Sequence, residues 1–306
     1  MLSGLQIVVM GGDARQIEVI RRLSELNAKL FLIGFEQLDH SFPGGVKEKI
    51  DGIEWKHVDA ILLPVAGTDT NGEIETIFSN ETIHLTEAVL IQTPDHCTVY
   101  SGIANEYLTS ITNKANRKLI LLFDRNDVAI YNSIPTVEGV LMLVIQNTDI
   151  TIHNSKTVVL GFGRNGMTIS RVFRDLGAKV KVGARKAEHL ARIDEMGLEP
   201  FHISKLKHVV KDADIVINTI PHLIITEEVI SNMPHHTLIV DIASKPGGTD
   251  FRYAEKRGIK AILTPSLPGI VAPKTAGKIL ANVLTELFTG DLIKRKEKKA
   301  DHGREK

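Results

Sequence analysis

The segment from Thr157 to Lys186, TVVLGFGRNGMTISRVFRDLGAKVKVGARK, restricts the fold of this chain more than any other part of it. An apolar β-branched run precedes three glycines with the spacing G-x-G-x-x-G, and an amphipathic stretch and a second apolar run follow them. In a strand–turn–helix context, the first glycine permits a tight turn, the second lets a ligand approach the backbone, and the third lets helix and strand pack closely. The segment therefore predicts a Rossmann unit that binds the pyrophosphate of a dinucleotide at the helix N-terminus.

Apolar runs alternate with amphipathic stretches on both sides of this segment, which predicts the α/β class with two open parallel-sheet domains linked by long helices. The 306 residues are enough for two separate cores. The stretch PTVEGVLMLVIQNT has helical spacing, and Pro135 can begin that helix. We predict a flavodoxin-like substrate domain at 1–134, a linking helix at 135–150, a Rossmann domain at 151–275, a helix packing back toward the N-terminal domain at 276–292, and a disordered charged tail at 293–306.

The composition is that of a globular protein, with 43% hydrophobic and 24% charged residues. The 37 basic and 37 acidic side chains cancel, so no general electrostatic attraction to nucleic acid or to a membrane surface is expected. Cys97 is the only cysteine, which favours a reducing, cytoplasmic setting and excludes a disulfide framework. The histidines form no HExxH motif, so no catalytic metal is predicted.

The second strand of the glycine segment ends without an acidic residue. NAD-binding units place Asp or Glu about 20 residues after the glycines, where it accepts hydrogen bonds from the ribose 2′-hydroxyl. This chain instead has Gly183 and Ala184, followed by Arg185 and Lys186, whose charge suits a 2′-phosphate. NADP(H) is the predicted cofactor, and the alternative is that both basic residues are solvated while NAD binds without the acid.

The loops after two later strands, DIVINTIP and LIVDIASKPGG, are predicted to flank the cofactor, because ligands of open α/β sheets lie beyond the carboxyl ends of the strands. Lys245 in the second loop is placed to reach a substrate, or else is a surface lysine. The predicted cofactor-binding residues are Gly161, Phe162, Gly163, Arg164, Asn165, Gly166, Arg185, Lys186, Thr219, Ile220, Pro221 and Asp241.

Five motifs, GGDARQ, NSIPTVEG, LGFGRNGMTISRVF, ASKPGGTDF and LPGIVAPKTAG, give the chain a resemblance to the A-subunit family of dipicolinate synthase from spore-forming bacteria, over residues 1 to about 290. The resemblance implies an NADP-dependent dehydrogenase that works with a flavoprotein-like B-subunit. Together they would make pyridine-2,6-dicarboxylate from a dihydro or hydroxy-tetrahydro precursor in the mother-cell cytoplasm during sporulation. A homo-oligomer is also expected.

The chain is similar, more distantly, to alanine dehydrogenase and the 2-hydroxyacid dehydrogenases, but it departs from the latter at two positions. Lys245 stands where they place an Arg, and Gly269 follows Pro268 where they place a His, which argues against a His-driven carbonyl reduction. Our hypothesis assigns anchoring of two substrate carboxylates to the residues in strand-end and bridging loops. These are Lys245 and Lys274 as catalytic residues, and Arg15, Asn132, Ser133 and Thr275 as substrate-binding residues.

Two other functions stay open from the sequence. One is an alanine or 2-hydroxyacid type NAD(P) oxidoreductase, which the missing His disfavours. The other is a non-catalytic nucleotide-binding regulatory protein, because a Rossmann unit reports binding and not catalysis. A second domain with its own strand-end loops favours an enzyme.

Overall fold

The structure is a computed structural model that describes the backbone of residues 1–302 and the side chains through Ile293. The chain divides into two compact units. The first combines Met1–Ala129 with the chain from Ala272 onward, and the second is Ile130–Val271. The domain limits predicted from the sequence, 134 and 275, lie a few residues beyond these boundaries.

The first unit contains a six-stranded parallel sheet and a separate antiparallel hairpin. Its strands are β1 Gln6–Met10, β2 Lys29–Ile33, β3 Gly45–Lys47, β4 Ala60–Leu62, β5 Glu73–Ile74, β6 Ile83–His84, β7 Thr98–Ser101 and β8 Lys118–Leu121. The order in the sheet is β3-β2-β1-β4-β7-β8, and β5 pairs with β6 in the hairpin. Without the three-residue edge strand β3, this order is that of a flavodoxin-like sheet. The helices that belong wholly to this unit are α1 Ala14–Glu25, α2 Glu87–Gln92, α3 Glu106–Lys114 and α11 Pro273–His302.

Helices α1 and α11 cover one face of this sheet. Helix α1 turns Val19, Ile20 and Leu23 into the core, a spacing that places all three on one side of a helix. Helix α11 adds Leu280 and Leu284, among others, to the same cluster. The late helix is therefore part of the first unit's core.

The second unit is also built on a six-stranded parallel sheet. Its strands are β9 Lys156–Leu160, β10 Lys179–Ala184, β11 Glu199–His202, β12 Ile215–Asn218, β13 Leu238–Asp241 and β14 Lys260–Leu263. Their order, β11-β10-β9-β12-β13-β14, corresponds to 3-2-1-4-5-6, the Rossmann arrangement, so the α/β fold class predicted from the sequence is confirmed. The helices are α5 Arg164–Asp175, α6 Ala187–Glu195, α7 Leu206–Val209, α8 Glu227–Ile230, α9 Phe251–Lys256 and α10 Leu267–Val271.

Helix α4, Asn126–Asn147, passes from the first unit to the second, and Pro135 lies inside it rather than at its start. Proline cannot donate a backbone hydrogen bond, which weakens the helix at this turn. The hydroxyls of Ser133 and Thr136 donate to the carbonyls of Ile130 and Asn132, at 2.6 and 2.8 Å, on either side of the Tyr131 carbonyl that the proline leaves without its helical donor. The linking helix therefore begins earlier than the predicted 135–150.

By length and composition alone, helix α4 is also long and apolar enough to cross a membrane. Its Val137, Val140 and Val144 lie in the core of the second unit, packed with strands β9 and β10. Packing on the sheet accounts for these apolar residues.

The backbone of α11 continues as a helix to His302, where the sequence analysis expected a disordered tail from residue 293. The stretch beyond residue 293 is rich in Lys, which has a high helix propensity and extends a helix that packing has already begun. Residues 303–306 of the predicted tail lie outside the described residues.

Candidate functional site

The glycine turn after β9 has the geometry that a bound pyrophosphate requires. Gly161 has a φ of +96°, and a Cβ there would collide with the Thr219 hydroxyl. A Cβ on Gly166 would collide with the carbonyl oxygen of Gly161, so close contact between helix α5 and the turn needs glycine. By contrast, a Cβ on Gly163 would meet no protein atom within 4 Å. The middle glycine therefore borders open space at the start of α5.

This open space lies next to the N-terminus of a helix. Gly163 caps helix α5 without a side-chain hydrogen bond, and helix N-termini are places where backbone N–H groups bind anions. The Phe162 side chain is buried in the core of the second unit and contacts the His189 ring edge-on, so only its backbone is left for a ligand. Arg164 and Asn165 begin the helix, and Arg164 is exposed.

Basic side chains gather at the end of β10, the edge where a dinucleotide's adenosine ribose would lie. Ala184 is buried, and the Arg185 and Lys186 that follow it are exposed. The Lys186 ammonium lies 3.7 Å from the Glu188 carboxylate, a weak exposed ion pair. The last position of the strand is Ala184 and not an acid, and this leaves the edge open to a phosphate.

The loop after β13 is organised by a buried hydrogen-bonded cluster. Asp241 is fully buried, and its carboxylate accepts hydrogen bonds from the backbone N–H groups of Ala243 (3.1 Å) and Gly248 (2.8 Å) and from the Thr249 hydroxyl (2.7 Å). A Cβ on Gly248 would lie 2.5 Å from the Asn218 amide nitrogen. This cluster, which we call the Asp241 clasp, fixes the shape of the 241–249 loop, and the N–H groups of Ile224 and Ile225 in the loop after β12 each donate to the Gly248 carbonyl at 2.9 Å.

Two of the predicted cofactor-binding residues have side chains that are bonded within the protein. The Asp241 carboxylate is occupied within the loop, and the Thr219 hydroxyl donates to the Leu160 carbonyl at 2.9 Å. Their side chains stabilise the loops that border the site. Ile220 is half-buried and Pro221 exposed at the same edge, where both can contact a ligand directly.

The substrate-binding candidates of the second unit differ in accessibility. Lys245 is exposed at the tip of the loop that the Asp241 clasp holds. Asn132 is half-buried, whereas Ser133 is only 1% exposed. The Ser133 hydroxyl lies 2.7 Å from that of Thr168, which joins α4 to the first turns of α5. Ser133 therefore positions helices rather than presenting a free donor to a substrate.

The candidates of the first unit lie where α1 and α11 begin. Gly277 in α11 packs so closely on the Arg15 carbonyl that a Cβ would collide with it. Lys274 and Thr275 are accessible in the first turn of α11. The structure thus brings the start of α11, with Lys274 and Thr275, close to Arg15 in α1.

Arg15 is engaged by Asp13, the residue that caps α1. The guanidinium binds both carboxylate oxygens, with Nη2 at 2.6 Å from Oδ2 and Nε at 2.9 Å from Oδ1. Burial favours the neutral acid at Asp13, but the hydrogen bond and charge of Arg15, together with its backbone N–H, outweigh burial and lower the pKa of this carboxyl. Arg15 therefore carries a counter-charge that the sequence analysis did not consider.

Sequence reasoning missed two sets of residues at these edges. Asp13 precedes an amphipathic run, which is the signature of an N-cap and is readable from the sequence. His202 ends the short strand β11 and Ser204 follows it, and this strand is not predicted from the sequence. Only the pairing of Ala184 with His202 in the sheet reveals their position.

Comparisons with known families give separate matches for the two parts of the chain. Residues 6–123 match the N-terminal domain of the dipicolinate synthase A-subunit, and residues 133–305 match the alanine dehydrogenase/PNT C-terminal domain.

Individual relatives match over nearly the whole length. The dipicolinate synthase A-subunit of Bacillus subtilis (strain 168) is 61% identical over 288 residues, covering 94% of this chain and 97% of that protein. The crystal structure of the dipicolinate synthase A-subunit from Bacillus halodurans superposes with a TM-score of 0.93 at 60% identity, covering 94% of this chain and 99% of that one. The transhydrogenase from Sinorhizobium meliloti shares the fold, with a TM-score of 0.64 at 15% identity and coverage of 92% and 93%.

Proposed function

Since the chain belongs to the A-subunit family of dipicolinate synthase, we propose that it is the NADP-dependent dehydrogenase that oxidises a dihydrodipicolinate, or its hydroxy-tetrahydro precursor with loss of water, to pyridine-2,6-dicarboxylate. Its second unit belongs to the alanine dehydrogenase/PNT C-terminal family, whose domains bind a nicotinamide dinucleotide. Membership in an A-subunit family also implies a second, different subunit as partner.

The observation that supports NADP(H) over NAD(H) is the end of strand β10. A carboxylate at this position would accept from a ribose 2′-hydroxyl and repel a 2′-phosphate. Ala184 provides neither effect, and the exposed Arg185 next to it can bind a phosphate through two N–H groups. The choice between the cofactors therefore depends mainly on Arg185.

The proposed reaction needs little acid–base assistance from the protein. A bound NADP⁺ supplies the hydride acceptor. Loss of a hydride and a proton from a dihydropyridine yields an aromatic ring, so orientation of the substrate can supply most of the catalysis. The remaining task for the protein is to hold two carboxylates and the ring in one position.

The residues proposed for that task are cationic or lie at helix starts. Lys245 presents its ammonium at the tip of a loop that the Asp241 clasp fixes, which limits the number of positions it can adopt. Lys274 and Thr275 lie in the first turn of α11, where the helix dipole also favours an anion. Arg15 and Asn132 are further candidates, and Ser133 contributes by holding α4 on α5.

The setting of the reaction is part of the same proposal. We place the chain in the cytoplasm of the mother cell of a sporulating bacterium, as a homo-oligomer that works with a flavoprotein-like B-subunit. Family membership supports the partner, and the composition supports an aqueous compartment with reduced thiols.

The direct test of the cofactor is titration of the purified chain with NADPH and NADH, followed by fluorescence. The wild type should bind NADPH more tightly, and Arg185→Ala should weaken NADPH about ten-fold or more while leaving NADH unchanged, because a charge-assisted hydrogen bond is lost. Arg192→Ala is the matched control, since Arg192 is an exposed arginine of helix α6 that pairs with Glu195. Equal binding of the two cofactors by the wild type would contradict the NADP assignment.

A second test addresses the substrate anchors. Lys245→Met and Lys274→Met remove charge with little change in side-chain length. Each should raise the KM for dihydrodipicolinate by about ten-fold while the Kd for NADPH stays constant. An unchanged KM in both variants would show that these lysines do not bind the substrate.

A further inference from the structure

Strand β11 places a histidine next to the position that decides the cofactor. His202 ends β11 and is the direct partner of Ala184 in the parallel pair β10–β11. A Cβ on Gly183 would meet Phe201 and Ile203, so those three positions share one face of the sheet and Ala184 and His202 share the other. Neighbouring strands are about 4.8 Å apart, so the His202 side chain leaves the sheet next to Ala184, the position at which NAD-binding units have an acidic residue.

Hydrogen bonds to Ser204 fix the histidine ring. Nδ1 lies 2.8 Å from the Ser204 hydroxyl and accepts from the Ser204 backbone N–H at 3.4 Å. Because a backbone N–H can only donate, Nδ1 is the acceptor, and the proton of the neutral ring is on Nε2. Within the part of the chain that the structure describes, Nε2 has no hydrogen-bond partner, and His202 is exposed.

The surroundings favour an anion at this nitrogen. Arg185 and Lys186 follow Ala184 on the neighbouring strand, and Lys205 is exposed in the turn after His202. The acidic side chain of Glu188, two residues after Lys186, is paired with that lysine. Glu199 lies at the opposite end of β11, beside Lys181.

From these contacts we propose that His202 is a specificity-determining residue of the cofactor site, and that its Nε2–H donates a hydrogen bond to the ribose 2′-phosphate of NADP(H), opposite Arg185. Ser204 positions the ring. The inference rests on the proposed preference for NADP(H). It adds a second residue, besides Arg185, that binds the 2′-phosphate.

The test uses binding of 2′,5′-ADP and 5′-AMP to the full chain, measured by calorimetry, because these probes differ only in the 2′-phosphate. His202→Asn is the informative variant. An asparagine can still cap the following turn, but its shorter amide does not extend to the position of Nε2. His202→Asn should weaken 2′,5′-ADP about ten-fold and leave 5′-AMP unchanged. His208→Ala, at an exposed histidine of α7, should change neither.

The outcomes separate this inference from the proposed function. If the wild type prefers 2′,5′-ADP and Arg185→Ala abolishes the preference while His202→Asn keeps it within two-fold, the role of His202 is overturned and the NADP assignment stands. If the wild type binds both probes equally, the NADP assignment fails and the role of His202 fails with it. A role for His202 in capping alone would lower the melting temperature of His202→Ala and leave the preference of His202→Asn intact.

Discussion

Gly163 and Gly166 lie in one turn, yet their surroundings differ in a way that separates binding from stability. Gly163 has a φ of −88° and open space around its Cβ position, so alanine fits there without strain. At Gly166, a Cβ would enter the Gly161 carbonyl, which is backbone and cannot move aside.

We therefore expect opposite effects from two alanine substitutions. Gly163→Ala should keep the melting temperature and weaken NADPH by ten-fold or more, because the methyl group occupies the space of the pyrophosphate. Gly166→Ala should lower the free energy of unfolding by about 1–3 kcal/mol through overpacking. Thermal unfolding and NADPH titration of both variants measure this, and a stable Gly166→Ala chain that binds NADPH normally would contradict the proposed geometry.

The ion pair of Asp13 and Arg15 makes a pH-dependent contribution to the stability of the first unit. Because the pKa of Asp13 is below 3.8 in the folded chain, its stabilisation is present above that value and is lost as the pH falls through the folded pKa. Asp13→Asn keeps a good N-cap but removes the charge. The free energy of unfolding of the wild type should exceed that of this variant by up to about 1 kcal/mol at pH 7, and the difference should shrink below about pH 4. Urea unfolding at several pH values checks this, and a constant difference would refute it.

At the scale of elements, the Asp241 clasp makes the loop after β13 a rigid support for Lys245. Replacing Asp241 by Ala leaves the buried N–H group of Gly248 and the Thr249 hydroxyl without acceptors, which should cost about 1–3 kcal/mol. Asp241→Asn retains one carbonyl acceptor and should lose less. Denaturant unfolding should give a free energy of unfolding that decreases from the wild type to Asp241→Asn to Asp241→Ala. An Asp241→Ala variant as stable as the wild type would show that the clasp does not stabilise the loop.

The elements also differ in how well the sequence predicts them. The long alternating runs predicted the α/β class and the Rossmann unit correctly, because their periods extend over many residues. Strands β3, β5, β6 and β11 are not predicted, because each has no more than one β-branched residue and lies outside any apolar run, and β11 is an edge strand that contains Pro200. Contacts such as Ser133 with Thr168 join residues far apart in the chain, so no local pattern predicts them. The roles of the substrate-binding residues stay predictions.

At the scale of the whole molecule, the first unit is discontinuous and the second is one continuous segment. Helix α11 contributes Leu280, Leu284 and Phe288 to the first unit's core. Burial of each large apolar side chain stabilises by about 1.5–3 kcal/mol, and the loss of three is comparable to the stability of a domain. The continuous unit contains the glycine turn and Arg185.

A chain that ends at Val271 should therefore lose protection from hydrogen exchange in strands β1 and β2 but still bind 2′,5′-ADP. A chain that ends at residue 293 should behave as the full chain. Leu284→Ala, which should cost about 2–5 kcal/mol, is the point-mutation control for the same core. Retained protection in β1 and β2 of the chain that ends at Val271 would show that the first unit does not depend on α11.

We have proposed that this chain catalyses NADP-linked oxidation of a dihydropyridine dicarboxylate. The most direct measurement incubates the purified chain with dihydrodipicolinate and either NADP⁺ or NAD⁺, with and without the B-subunit, and follows reduced cofactor and pyridine-2,6-dicarboxylate together. We predict equal amounts of NADPH and product, with NAD⁺ much less effective. Formation of the product in the presence of the B-subunit without any NADPH, from wild-type protein that binds NADPH, would contradict a dehydrogenase role for this chain.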